Sequence, residues 1–195
     1  MDREQKPVSD DEDLLAGLHL DLELAGELGR RVGQQQALRS AAMRDLPRDV
    51  KQALYRRLAE VDEDNSEWLR ELLRRRGWPG HSIVGESGSQ AAWLLAQHAD
   101  ADPAFQAECL KLLTVAVEAG EAEPSSLAYL DDRVRLARGE PQRYGTQCEQ
   151  GEDGRYRPRS LAEPDAVDRL RAEVGLGPLA DYVAQMTEMS QIGPT

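Results

Sequence analysis

In three places a helical face that should be apolar turns polar, and the residues involved are of the kinds that move protons or hold substrates. Along the first amphipathic segment the inward series Leu28, Val32 continues to Gln35 and Arg39. In the second, Val61, Asn65, Trp68 and Leu72 share a face, with Asp62 at its border. In the third, Ala91, Leu94 and Leu95 lead to His98. A buried polar group left without a hydrogen bond costs about 1–3 kcal/mol, so the economical arrangement pools such groups in one cluster. The cluster either locks helix register or lines a pocket. In a pocket His98 is the natural proton carrier, since an ordinary imidazole titrates at about 6.5. Asp62 or Asp100 would orient it. Gln35, Arg39, Asn65 and Gln97 would hold the amides or carbonyls of a small-molecule or peptide ligand. The reading requires Asn65, His98 and Tyr144 to meet in one hollow open to solvent.

Other strings carry weaker chemistry. His98, Asp100 and Asp102 form an H-x-D-x-D pattern suited to a metal, but Asp102 before Pro103 is better read as a helix cap, and further ligands are missing. No metal and no cofactor is expected; a metal-dependent hydrolase ranks third among the functional readings. Residues 85–89, Gly-Glu-Ser-Gly-Ser, place glycines before a helix without the Lys-Ser/Thr of a phosphate loop. Cys109 falls on an apolar helix face, and neither it nor Cys148 has a base nearby in sequence. Tyr144 and Gln147 offer hydroxyl and amide groups at a hairpin edge, and the Asp132–Arg133 pair reaches the same region or forms a surface ion pair.

The elements that must position these groups follow from periodicity. Residues 1–12 read as a charged, disordered leader. Leu15, Leu18, Leu22, Ala25, Leu28 and Val32 mark a helix running to Met43. Pro47 opens a second helix that stops at Gly77; a third covers Ser89 to His98; a fourth runs from Asp102 to Gly120 and a fifth from Pro124 to Gly139. A short hairpin spans residues 144–157, Pro164 opens a helix to Val174, and Pro178 opens a last one to Met189, leaving 190–195 as a loose tail. The fold class is mainly α: an irregular array of about six to seven helices with one β-hairpin, in a single domain over residues 13–189.

Composition narrows the partners. A formal charge of −12 over 195 residues argues against nucleic acid and anionic membranes. Arg70, Arg74, Arg75 and Arg76 cluster at a helix end, where cations complement the dipole. No apolar run is long enough to span a bilayer, and the polar start shows no signal peptide, so a cytoplasmic location is expected. The amphipathic first helix suits a homodimer or another partner, which supports the second reading, a non-enzymatic interaction, immunity or regulatory protein. His19 and His81 fall on a surface face and in a loop.

Several strings together resemble a known bacterial family. These are Gly77-Trp78-Pro79-Gly80, Ser82-Ile83-Val84-Gly85, Gly88-Ser89-Gln90-Ala91-Ala92-Trp93-Leu94-Leu95, Gln97-His98-Ala99-Asp100, Ala128-Tyr129-Leu130 with Asp132-Arg133-Val134, and Gln142 to Gln147. In this order they resemble the DUF6624 family of unknown function, over about residues 35–185. The resemblance implies a bacterial, cytoplasmic protein and no established activity. It draws attention to Asp62, Asn65, His98, Tyr144 and Gln147. The leading expectation is a cofactor-independent enzyme using general acid/base chemistry on a small molecule or peptide, of the kind found in specialised metabolism.

Overall fold

The computed structural model describes residues 20–192, which form seven α-helices and one two-stranded hairpin. The leader, Leu15, Leu18, His19 and the last residues of the tail lie outside this range. Helix α1 (Leu22–Met43) is capped by Asp21, whose Oδ1 accepts from the Leu24 N–H at 2.9 Å. Helix α2 (Arg48–Arg76) starts behind Pro47 and stops at Gly77, where φ is 71°. Helix α3 (His81–Gln97) begins earlier than its apolar spacing suggests and is broken at Gly85, with φ 72° and ψ 172°. Only glycine adopts that conformation readily, so the expected loop around residues 85–88 contracts to a kink between two helical pieces. Helix α4 (Pro103–Glu118) has the cap foreseen at Asp102, whose carboxylate accepts from Phe105 N–H at 2.9 Å. Helix α5 (Pro124–Ala137) follows.

These five helices share the main core, in which Leu28, Leu69, Leu113 and Leu130 are fully buried and Leu95 nearly so. Each contributes about 1.5–3 kcal/mol by leaving water. Cys109 sits fully buried in the same core, and burial pushes its thiol up to about 12, which keeps it an unreactive apolar filler. The inward face of α1 is spent within the chain, with Leu24 and Leu28 in this core and the helix packed on α2 and α3. Apart from Leu22 and Met43 at its two ends, α1 presents no large exposed apolar side chain to the homodimer expected there. The four arginines at the end of α2 are all paired: Arg70 with Asp102, Arg74 and Arg75 with Glu71, and Arg76 with Asp21. Among the described residues no helix is long and apolar enough to cross a membrane.

The hairpin is shorter than its sequence span. Strands β1 (Cys148–Gln150) and β2 (Tyr156–Pro158) pair antiparallel, Cys148 opposite Pro158 and Gln150 opposite Tyr156. Tyr144 to Thr146 stay out of the ladder because the backbone N–H groups of Tyr144 and Thr146 are claimed by a buried carboxylate, described below. A 3-10 turn at Pro164–Ala166 leads into α6 (Val167–Glu173), and α7 (Leu179–Ile192) runs three residues beyond the predicted Met189. Helix α7 is tied to the body by an edge-on aromatic chain, Trp93 to Tyr129 at 5.9 Å and Tyr129 to Tyr182 at 6.3 Å. The Tyr182 hydroxyl also donates to the Thr146 carbonyl at 3.0 Å.

Candidate active site

His98 terminates α3. Its backbone N–H reaches the carbonyls of Leu94 and Leu95, so the last turn of the helix fixes where the imidazole emerges. It emerges against α1 and α2. Imidazole Nδ1 lies 2.8 Å from Gln35 Oε1, Gln35 Nε2 donates to Asp62 Oδ1 at 2.6 Å, and Arg39 Nη2 donates to Asp62 Oδ2 at 2.8 Å. Gln35 is fully buried. The polar interruption of the α1 face therefore meets the border of the α2 face and the end of the α3 face, as pooling of buried polar groups requires.

The chain of bonds fixes proton positions. An ionised Asp62, favoured by Arg39, only accepts, so the Gln35 amide must turn its NH₂ toward it. Gln35 then offers Oε1 to the histidine, and Nδ1 must carry the hydrogen. The lone pair is left on Nε2. Burial lowers the His98 pKa to about 4, helped by the charges of Arg39 and Arg133, so the ring is neutral at pH 7. Burial raises the Asp62 carboxyl above its ordinary value, while Gln35 and Arg39 pull the other way.

His98, Asp62 and Arg39 line a cleft of about 520 Å³ that also borders Ser66, Glu67 and Asp100. The sequence reading missed the α2 wall. Ala59, Asp62, Glu63, Ser66, Glu67 and Arg70 recur at helical spacing and all face the cleft. That stripe was visible in the sequence, but a polar stripe ordinarily faces bulk water.

The wider site does not hold together. Asn65 is 2% exposed and accepts from Arg31 Nη1 at 2.9 Å, on the other side of α2 from the cleft lining, with its own Nδ2 buried and unpaired. Gln97 lines neither the cleft nor the smaller cavity beside it, and its Oε1 is buried without a partner. Tyr144 is buried in a separate small core with Ala128 and Leu170, and its carbonyl accepts from Arg171 Nη1 at 2.7 Å. The expectation that Asn65, His98 and Tyr144 share one hollow is therefore overturned, and the catalytic reading built on that wider site falls with it; what meets at the cleft is the narrower set of His98, Gln35, Asp62 and Arg39. Helical spacing put Asn65 on the apolar face of α2, and that face packs on α1 rather than opening to the cleft.

Asp100 lies two residues past His98. Arg133 Nη1 donates to both of its oxygens, at 2.8 and 2.7 Å, and Gln106 Nε2 donates to its Oδ1 at 3.2 Å. Asp100 borders both the cleft and a second cavity of about 290 Å³, which Arg133 and Gln147 also line. Asp132 does not pair with its neighbour. It is fully buried and accepts from the N–H groups of Arg143, Tyr144 and Thr146 and from the Thr146 hydroxyl, at 2.7–3.0 Å. The H-x-D-x-D string is divided in the same way, with Asp102 spent on capping α4 and pairing with Arg70. Among the described residues no group of three or more His, Cys, Asp or Glu side chains is placed to hold a metal ion. The glycine stretch at 85–89 forms no anion loop; Ser89 is buried and donates to the Glu121 carbonyl at 3.3 Å.

Compared with known proteins, the chain matches the model of a family of unknown function, DUF6624, over residues 23–192. The match reaches further toward both ends than the strings that suggested it. No curated protein and no solved structure matches the chain.

Proposed function

The chain belongs to the DUF6624 family, and from that starting point we propose that it is a cofactor-independent enzyme in which His98 acts as a general base on a small molecule or peptide bound in the cleft. The observation that supports this is the Asp62–Gln35–His98 chain, which fixes the imidazole tautomer so that a bare Nε2 is the nitrogen left without a protein partner. A purely structural histidine needs no such relay, whereas a base needs one fixed tautomer and an accessible lone pair. Asp62 takes the orienting role through Gln35 rather than by direct contact, and Asp100 shapes the field from the cleft rim.

The lining constrains the ligand. Asp62, Glu63, Glu67, Asp100 and Asp102 face the cleft against Arg39 and Arg70, each of which is already committed to a carboxylate. This inventory suits a neutral or cationic group beside His98 and disfavours an anion there. With its pKa at about 4, the imidazole is a weak base, so the proton it takes must be an acidic one, such as that of a thiol, an activated carbon acid or an ammonium group desolvated by the cleft.

The tautomer can be tested without knowing the substrate. Long-range ¹H–¹⁵N spectra at pH 7 should show His98 with a protonated Nδ1 and an unprotonated Nε2, and Asp62→Asn should destroy that preference by letting the Gln35 amide turn over. Turnover found in a panel of peptides, thioesters and amino ketones should fall about 10²-fold or more in His98→Asn, with thermal stability near wild type. Its rate should rise with pH through about 4 and then stay level. A folded His98→Asn protein with full turnover would remove His98 from the mechanism.

A further inference from the structure

The smaller cavity beside the cleft is electrostatically its opposite. Arg133 and Arg159 line it together with Gln106 and Gln147, and Asp100 is its one carboxylate among the described lining residues. Arg133 spends only Nη1 on Asp100, and its Nε is buried with no partner among the described residues. Arg159 comes no closer than 3.9 Å to Glu149, its nearest acidic partner, and both side chains are more than half exposed. Although the chain carries a net charge of −12, two guanidinium groups against a single carboxylate give this hollow a positive lining.

The fold also holds them in place. Gln142 is fully buried; its Nε2 donates to the carbonyls of Gln147 and Arg159, each at 2.9 Å, and its Oε1 accepts from Gln147 N–H at 3.0 Å. The Arg159 N–H closes the ring on the Gln147 carbonyl at 3.0 Å. On the other wall Gln106, 1% exposed, donates to the Ala96 and Gln97 carbonyls and to Asp100, which steadies the partner of Arg133. Arg159 thus springs from backbone held by a buried amide side chain, and Arg133 is braced through the Asp100 carboxylate that a second buried amide holds, the preorganisation that a binding site needs and a solvated surface does not.

We infer that this cavity is an oxyanion subsite, in which Arg133 and Arg159 bind the carboxylate or phosphoryl group of a ligand. Among the described residues the guanidinium of Arg133 keeps Nη2 free of protein partners, and Arg159 makes no hydrogen bond through its guanidinium, which leaves a charged donor on each for such oxygens to accept from. The subsite does not depend on whether His98 acts as a base.

The test is a titration of the full-length protein with sodium acetate and, separately, with inorganic phosphate at constant ionic strength, followed through the arginine Nε–H and glutamine side-chain resonances. Saturable shifts at Arg133, Arg159 and Gln147 are expected with at least one anion, and which one identifies the ligand chemistry. Binding should weaken about tenfold or more in Arg159→Ala, since a charge-assisted hydrogen bond is lost. It should be largely kept in Arg159→Lys and stay within about twofold in His98→Asn. No saturable shift with either anion would overturn the inference. So would equal binding by Arg159→Ala, or loss of binding in His98→Asn, which would place the anion in the main cleft instead.

Discussion

His98 shows how a side chain common in solvent becomes specialised by its position. Its ring is neutral because burial, and then Arg39 and Arg133, penalise the charged form. The unfolded chain returns it to about 6.5, so between about 4 and 6.5 the unfolded state binds the extra proton. The stability this creates is complete above about 6.5 and is lost as the pH falls toward 4. Asp62 runs the other way: its raised pKa lets the folded state take up a proton first, which trims the acid loss. Urea unfolding at pH 7 and pH 4 should show the wild type losing about 2–3 kcal/mol more than His98→Asn over that interval. Parallel losses in the two proteins would mean that the ring is not depressed. At this scale the sequence was readable where polarity broke a helical period, at Gln35, Arg39 and His98. It was unreadable at Asn65, because an interrupted face looks the same whether its polar residue meets a ligand or another helix.

At the scale of elements, α5 divides its labour between neighbouring residues. Asp132 turns inward and collects three backbone N–H groups and a hydroxyl from the segment before β1, while Arg133 turns toward Asp100. The segment passes Leu179 at Gly145, where φ is 67° and an added Cβ would lie 2.8 Å from Leu179 Cδ1. Asp132 therefore does for this stretch what a sheet partner would do for a strand. Replacing it by Ala strands those donors and should cost about 3–5 kcal/mol, with amide exchange accelerating first at residues 143–146. An unchanged urea midpoint would show that the loop holds itself. Helix boundaries were legible at Pro47, Gly77, Asp102, Pro103 and Pro124, since caps and prolines act locally. The hairpin was read too long because an acceptor twelve residues upstream in the chain leaves no mark on the local pattern.

Across the whole molecule, the sequence foretold a helical array and left the pairing of its faces open. The cleft exists because α1, α2 and the end of α3 converge, a matter of long-range packing that periodicity within each helix does not encode. The α2 stripe from Ala59 to Arg70 becomes a wall only when α3 ends beside it, and Arg159 becomes a ligand-facing residue only when the buried Gln142 draws the end of the hairpin toward α5.

Asp100 and Arg133 separate the two hollows, and thermodynamic linkage makes that partition a conductor. An anion seated on Arg133 cancels part of the positive field that depresses His98, so filling the smaller space should move the imidazole titration upward, and protonating the imidazole should tighten the anion by the same factor. A His98 midpoint that stays at its starting value in saturating acetate or phosphate would show the compartments to be energetically insulated. If it moves, occupancy on one side of a single ion pair sets the basicity available on the other.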